Sequence, residues 1–126
     1  MVKSIGLDIV EVQRIKELLE QYGAKFIGKI LSSSEISLYE NKPNDLIFLA
    51  GRFAAKEAVR KATGENLKWT DVEITNEERG KPIVRLSDRN LTGGGTENTR
   101  ILLSISHTDE YAVAYVVVQT TDHRQR

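Results

Sequence analysis

The stretch "GRFAAKEAVRKATG", Gly51 to Gly64, sets the reading of the whole chain. Its lone carboxylate, Glu57, stands among Arg52, Lys56, Arg60 and Lys61. On a helical wheel started at Arg52, Lys56 and Arg60 fall at roughly 40° and 80°, and Glu57 and Lys61 at roughly 140° and 180°. Ala54, Ala55, Ala58, Val59 and Ala62 fill the other side, from about 200° to 340°. Phe53, at about 100°, is the one apolar residue among the charges. The spacing predicts a helix over 45–63. Pro43-Asn44-Asp45 breaks the chain and caps its start, and Gly64 is suited to its end. An alanine face lets such a helix lie close to a sheet. The charged face has two readings. One is a solvated surface with a single Glu57–Lys61 pair, worth about 0.3–0.5 kcal/mol. The other is a site for a bound anion, which would use the surplus of cations.

Outward from this helix, the first half of the chain reads as mainly helical. "VKSIGLDIV" (2–10) predicts a strand, with Gly6 marking a bulge or a close backbone approach. Val12, Ile15, Leu18, Leu19 and Tyr22 recur at helical spacing and predict a helix over 12–22 that ends at Gly23. "SSSEISLYE" (32–40) starts another, with Ser32 and Glu35 at capping-box spacing. The second half reads as strands: "DVEIT" (71–75), a turn at "NEERGKP" (76–82), "IVRL" (83–86), "ILLSISH" (101–107) and "YAVAYVVV" (111–118). "TDE" (108–110) makes a short hairpin loop. "TGGGTENT" (92–99) lacks the Gly-Lys-Ser/Thr ending of a nucleotide loop and reads as a flexible surface connection. "TTDHRQR" (120–126) reads as a frayed tail. The expected class is α+β, with helices packed on a largely antiparallel sheet in one domain, 1–126.

Composition narrows the partners. The 126 residues hold no cysteine, which excludes a disulfide framework, a thiolate metal site and a thiol nucleophile. Net charge is zero, with ten Lys/Arg and eight Asp/Glu in residues 1–63 and eight and ten in 64–126. So weak an asymmetry argues against a nucleic-acid protein, and any anion site must be a local cluster. No stretch approaches a membrane span, and "MVKSIGLDIV" is too short and too acidic for a signal peptide. The sequon "NLT" at Asn90 is therefore read as chance. These features fit a cytoplasmic protein.

Three further positions combine with Glu57. Asp8 lies among Ile5, Leu7 and Ile9, where an aspartate is a poor strand former, costly if buried without a partner. Taken alone it is a turn or cap residue. His107, between Ser106 and Thr108, is taken alone an edge histidine at a hairpin. Gly80-Lys81-Pro82 is most simply a turn. Together they form a chemical set. Asp8 and Glu57 can share one hard divalent cation, and Mg²⁺ prefers one or two carboxylates with water and phosphate oxygens. The neighbouring cations would neutralise phosphate, and His107 could contact a phosphate or move a proton. Without a thiol, the chemistry that fits is metal-assisted transfer at phosphorus.

The chain also resembles a known family. "GLDIVEVQRI" (6–15), "LAGRFAAKEAVRKATG" (49–64) and "LSISHTDEYAVAYVVV" (103–118), with "RGKPIVRL" (79–86) and "KILSSSE" (29–35), are similar in order and spacing to the holo-acyl-carrier-protein synthases. These are small phosphopantetheinyl transferases. The resemblance implies a phosphopantetheinyl transferase fold and a homotrimer with sites between subunits. It implies Mg²⁺-dependent transfer of phosphopantetheine from coenzyme A to a serine of apo acyl carrier protein, releasing adenosine 3',5'-bisphosphate. It implies Asp8 and Glu57 as metal carboxylates and Lys61 beside the reacting phosphates. Arg52, Lys56, Pro82, Ser106, His107 and Thr108 would belong to the coenzyme A site, and Arg14 would face the acidic carrier. One departure stands out: where the family has a short alanine-rich helix between Leu86 and Arg100, this chain has "SDRNLTGGGTENT" (87–99), whose three glycines argue against a helix. Two rival classes use the same residues: a Mg²⁺-dependent phosphohydrolase of a nucleotide-like substrate, which needs no carrier, and a binding module for coenzyme A or a carrier, which turns nothing over.

Overall fold

The computed structural model describes residues 1–41, 45–87 and 99–120. Strand β1 (Val2–Glu11) runs straight into helix α1 (Val12–Tyr22), and Gly23, at φ 54°, turns the chain into α2 (Ala24–Ile30). Helix α3 (Ser33–Glu40) and the long α4 (Leu46–Thr63) follow. A single 3-10 turn (Trp69–Asp71) leads to the hairpin of β2 (Val72–Asn76) and β3 (Pro82–Leu86), and β4 (Thr99–His107) and β5 (Tyr111–Thr120) close the described chain.

The expected helix ends are present, with their chemistry. Ser32 and Glu35 exchange the two bonds of a capping box at α3. Asp45 accepts from the Phe48 amide at 2.9 Å to start α4, and Gly64, in the left-handed region at φ 67°, ends it. Helix α2 was not expected. With only Phe26 and Ile30 buried over seven residues, it is too short for its period to be read. The strands also divide differently from the expected single sheet. They form two antiparallel sheets, β1-β5-β4 and β2-β3, and the first strand of the chain belongs to the larger one. The triple glycine lies outside the described residues.

Helix α4 packs on the three-stranded sheet through the alanine face that the wheel defines. Ala54, Ala55 and Ala58 are fully buried, and Ala112, Ala114 and Val116 of β5 meet them from the sheet. Small residues on both sides bring backbone near backbone. The Ser4 hydroxyl donates to the Ala62 carbonyl at 2.5 Å. A Cβ built on Gly6 would lie 2.1 Å from the Ala58 carbonyl oxygen, so Gly6 is a point of close approach, as its place in the strand predicts.

The other face of this sheet is open. Ile5, Leu7 and Ile9 are 58%, 57% and 61% exposed, and Tyr115, paired with Leu7, is 44% exposed. A strand that alternates small inward residues with large outward ones is apolar on both faces.

Because the obstacle at Gly6 is backbone and cannot swing aside, Gly6→Ala is expected to lower folding stability by about 1–3 kcal/mol or more. Urea unfolding followed by circular dichroism measures this, and an unchanged midpoint would contradict the close approach.

Candidate active site

The cations of α4 do not gather around Glu57. They divide among three carboxylates. Arg52 and Lys56, placed by the wheel on the charged face, are buried at 6% and 0% exposure. Their counter-charge is Glu35 of α3, itself fully buried. The Lys56 ammonium donates to Glu35 Oε1 at 2.5 Å, to the Ile30 carbonyl at 2.6 Å and to the Trp69 carbonyl at 3.1 Å. All three of its protons are thereby used inside the protein. Glu35 also accepts from the Ser32 amide at 2.8 Å and, through Oε2, from the Ile74 amide at 2.9 Å. Burial pushes the Lys56 ammonium below its usual pKa, and Glu35 opposes the shift.

Lys56, which the family resemblance puts in the coenzyme A site, thus turns its donors inward, where all three are spent. Arg52 is likewise a strut. Its Nη2 donates to the Ile74 carbonyl at 3.3 Å and to Asn76 Oδ1 at 3.0 Å, and its guanidinium lies 4.5 Å from the centre of the Phe48 ring. Asn76 in turn donates to the Gly80 carbonyl at 2.8 Å, so Arg52 ties α4 to the turn that carries Gly80-Lys81-Pro82. The wheel held a signal of this. Arg52 and Lys56 lie beside Val59, on the border of the apolar face, and their long stems can reach inward.

On the far side of α4 the expected Glu57–Lys61 pair is replaced. Glu57 accepts from Arg60 Nη1 at 2.9 Å, and Lys61 crosses to β1, donating to Asp8 Oδ1 at 2.9 Å and to the Leu7 carbonyl at 3.1 Å. Asp8 reaches α4 because it follows Gly6 on the helix-facing side of β1. Hydrogen bonding from Lys61 to Asp8 is the main cause that raises the Lys61 pKa, and the charges of Asp8 and Glu57 add to it. Both carboxylates therefore act on one ammonium, and Lys61 stays protonated at neutral pH. Among the described residues no group of three or more His, Cys, Asp or Glu lies together in a way that could hold a metal ion. Two hard oxygen donors suit an ion that completes its shell with water and phosphate oxygens.

The remaining expected residues sit elsewhere on the sheet. Asp8 pairs with Ala114, which pairs with Ile105; His107 pairs with Ala112, which pairs with Val10. His107 thus lies two strands across and two residues along from Asp8, about 12 Å away within one chain. Ser106 and His107 are exposed, and Thr108 Oγ1 accepts from the amides of Glu110 and Tyr111 at 3.2 and 3.0 Å, capping the hairpin loop. Pro82 opens β3 opposite Asn76.

Arg14 stands on the rim of a groove of about 550 Å³ between α1, α2 and α4. Lys25 and Lys29 share the rim, and Leu18, Phe26, Phe53 and Trp69 are among the apolar lining. This accounts for Phe53, which packs on Trp69 with ring centres 4.7 Å apart and faces Phe26 at 6.5 Å. Trp69 and Lys25 had no part in the sequence reading, and Lys29 entered it only within "KILSSSE", since nothing local links them to Arg14.

An alanine-faced helix on a small antiparallel sheet, with the Lys61–Asp8 bond at its edge, places the protein in the α+β class. The family model of the 4'-phosphopantetheinyl transferase superfamily matches residues 4–116. A holo-[acyl-carrier-protein] synthase of Chlorobaculum parvum is 43% identical, over 91% of this chain and 97% of its own. One from Chloroherpeton thalassium is 41% identical, over 91% and 96%. The crystal structure of the Bacillus anthracis holo-(acyl-carrier-protein) synthase in complex with CoA (3',5'-ADP) superposes with a TM-score of 0.81 at 36% identity, covering 96% of this chain and 99% of that one. The chain belongs to this superfamily and, within it, to the holo-acyl-carrier-protein synthase family. It is a transferase, so the readings as a phosphohydrolase or a non-catalytic module are set aside.

Removing Glu35 would strand the Lys56 charge in the interior. Glu35→Ala is therefore expected to lose about 3–5 kcal/mol of folding stability, and the paired change Glu35→Leu with Lys56→Met much less. Chemical denaturation of both variants tests this, and equal losses would refute the hub.

Proposed function

We propose that the protein transfers the 4'-phosphopantetheine group of coenzyme A to a serine of an apo acyl carrier protein, with Mg²⁺, releasing adenosine 3',5'-bisphosphate. The observation that carries this reading is the Lys61–Asp8 bond, one helical turn from Glu57, in a chain of this family. Asp8 and Glu57 would hold the Mg²⁺, which when bound supplies Lewis-acid polarisation of the phosphates and shields their charge. Lys61, kept protonated beside Asp8, would add a cation for the phosphates and cannot serve as the base. The serine Oγ–P bond forms as the bond from phosphorus to the adenosine-bearing phosphate oxygen breaks. The hydroxyl proton passes to a carboxylate or to water. Pro82, Ser106, His107 and Thr108 would border coenzyme A, with the Pro82 turn braced by Arg52 through Asn76.

An acidic carrier would dock where Arg14, Lys25 and Lys29 ring an apolar floor. Charge steers such an encounter, and the buried aromatic centre provides the hold. The open sheet face fits the homotrimer that the family resemblance implies, because an apolar patch of this kind needs a cover. The separation of His107 from Asp8 within one chain fits a site completed by a neighbouring copy. A reaction between coenzyme A and a carrier protein would take place in the cytoplasm. No helix among the described residues is long and apolar enough to cross a membrane.

Two measurements test this. Incubated with coenzyme A, Mg²⁺ and an apo acyl carrier protein, the enzyme should raise the carrier's mass by one phosphopantetheine unit, and EDTA should abolish the gain. Glu57→Gln should slow the transfer on the order of a hundredfold. A carrier of unchanged mass, or full turnover by the variant, would sink the reading. Light scattering should find three chains per particle for the wild type and a shift toward single chains for Leu7→Lys. A monomeric wild type would rule the trimer out.

A further inference from the structure

The two carboxylates assigned to the ion are held in different ways. The Lys61 side chain that pairs with Asp8 is 54% exposed. Arg60, which pairs with Glu57, has a wall behind it: its guanidinium lies over the Trp69 ring, 5.1 Å from the centre, and Trp69 is itself packed on Phe53. Arg60 and Glu57 are 30% and 29% exposed, and a bare pair at that exposure would contribute little. Stacking on the indole adds a second partner that fixes where the guanidinium sits. Arg60 binds Oε1 of Glu57, and among the described residues no hydrogen bond reaches Oε2.

We propose that Arg60, seated on Trp69, is a positioning residue that reserves one oxygen of Glu57 and makes it a one-oxygen ligand, favouring Mg²⁺ over Ca²⁺. This rests on the assignment of Glu57 to the ion. Ca²⁺ takes more oxygens at longer distances and accepts both oxygens of one carboxylate, whereas Mg²⁺ keeps several waters and uses carboxylates sparingly. A carboxylate with one oxygen committed to an anchored guanidinium loses the bidentate mode that serves Ca²⁺. The positive charge of Arg60 also repels the ion. Both ions carry the same charge, so that repulsion largely cancels in the ratio of their affinities. The ratio, not either affinity alone, isolates the positioning effect.

The test is isothermal titration calorimetry of MgCl2 and CaCl2 into the full chain with coenzyme A present, for wild type, Arg60→Ala, Trp69→Leu and Glu57→Gln. Arg60→Ala should lower the Mg²⁺-to-Ca²⁺ affinity ratio by about threefold or more. Trp69→Leu keeps the arginine but removes its seat, and should shift the ratio the same way. A ratio unchanged in Arg60→Ala, with wild type binding Mg²⁺ and Glu57→Gln binding it weakly, overturns this inference and leaves Glu57 as a ligand. If Glu57→Gln binds both ions as wild type does, or wild type binds neither, the assignment of Glu57 falls and this inference with it. Arg60 is part-exposed at the helix surface, so Arg60→Ala should fold, and its circular dichroism spectrum checks that.

Discussion

The site depends on how near α4 comes to β1. Lys61 on the helix and Asp8 on the strand are joined by a 2.9 Å bond, although 52 residues lie between them in sequence. That reach exists because Gly6 has no Cβ to meet the Ala58 carbonyl, and because the facing surfaces are alanine. A larger residue at either place would push the layers apart and carry the lysine away from the aspartate. Packing and chemistry are therefore the same constraint here. The residues that make the interior dense also set the spacing of the charged groups at its edge.

Helix α4 serves two electrostatic environments at once. Toward the core, Arg52 and Lys56 meet Glu35 in a network that also takes the Ser32 and Ile74 amides. A buried ion pair is a weak source of net stability, since desolvation of both charges offsets most of their attraction. Its value here is geometric. Lys56 is clamped from three directions, and its sequence neighbour Glu57 is thereby turned outward. Toward the surface, Arg60 and Lys61 each hold one of the carboxylates that the reaction would use. Charges that look alike in sequence thus do different work according to which side of the helix axis they occupy.

Much of this was legible in the residues. The α4 caps, the Gly6 approach and the alanine face followed from local rules, because each depends on neighbours along the chain. Asp8 stood out as an aspartate that needs a partner inside an apolar strand, but its partner did not, because Lys61 was matched to Glu57 on its own helix. What stayed hidden depended on long-range partners. Glu35 was explained by its capping box, and nothing in "SSSEISLYE" reveals that the same carboxylate is the buried counter-ion of Lys56. The wheel put Lys56 on a face open to water or to an anion because it assumed that charge does not turn inward. Helix α2 was too short to show its period. The groove draws on α1, α2, α4 and the Trp69 turn, elements that only folding brings together.

Trp69 is the one tryptophan in the chain. Its ring lines the groove on one side, touches Phe53, and carries the guanidinium that holds Glu57. Indole emission responds to the polarity and charge around the ring. The protein therefore contains its own optical reporter at the junction of the groove and the carboxylate pair. Ultraviolet fluorescence of the unlabelled chain registers events at either one, without a dye and without a coupled assay.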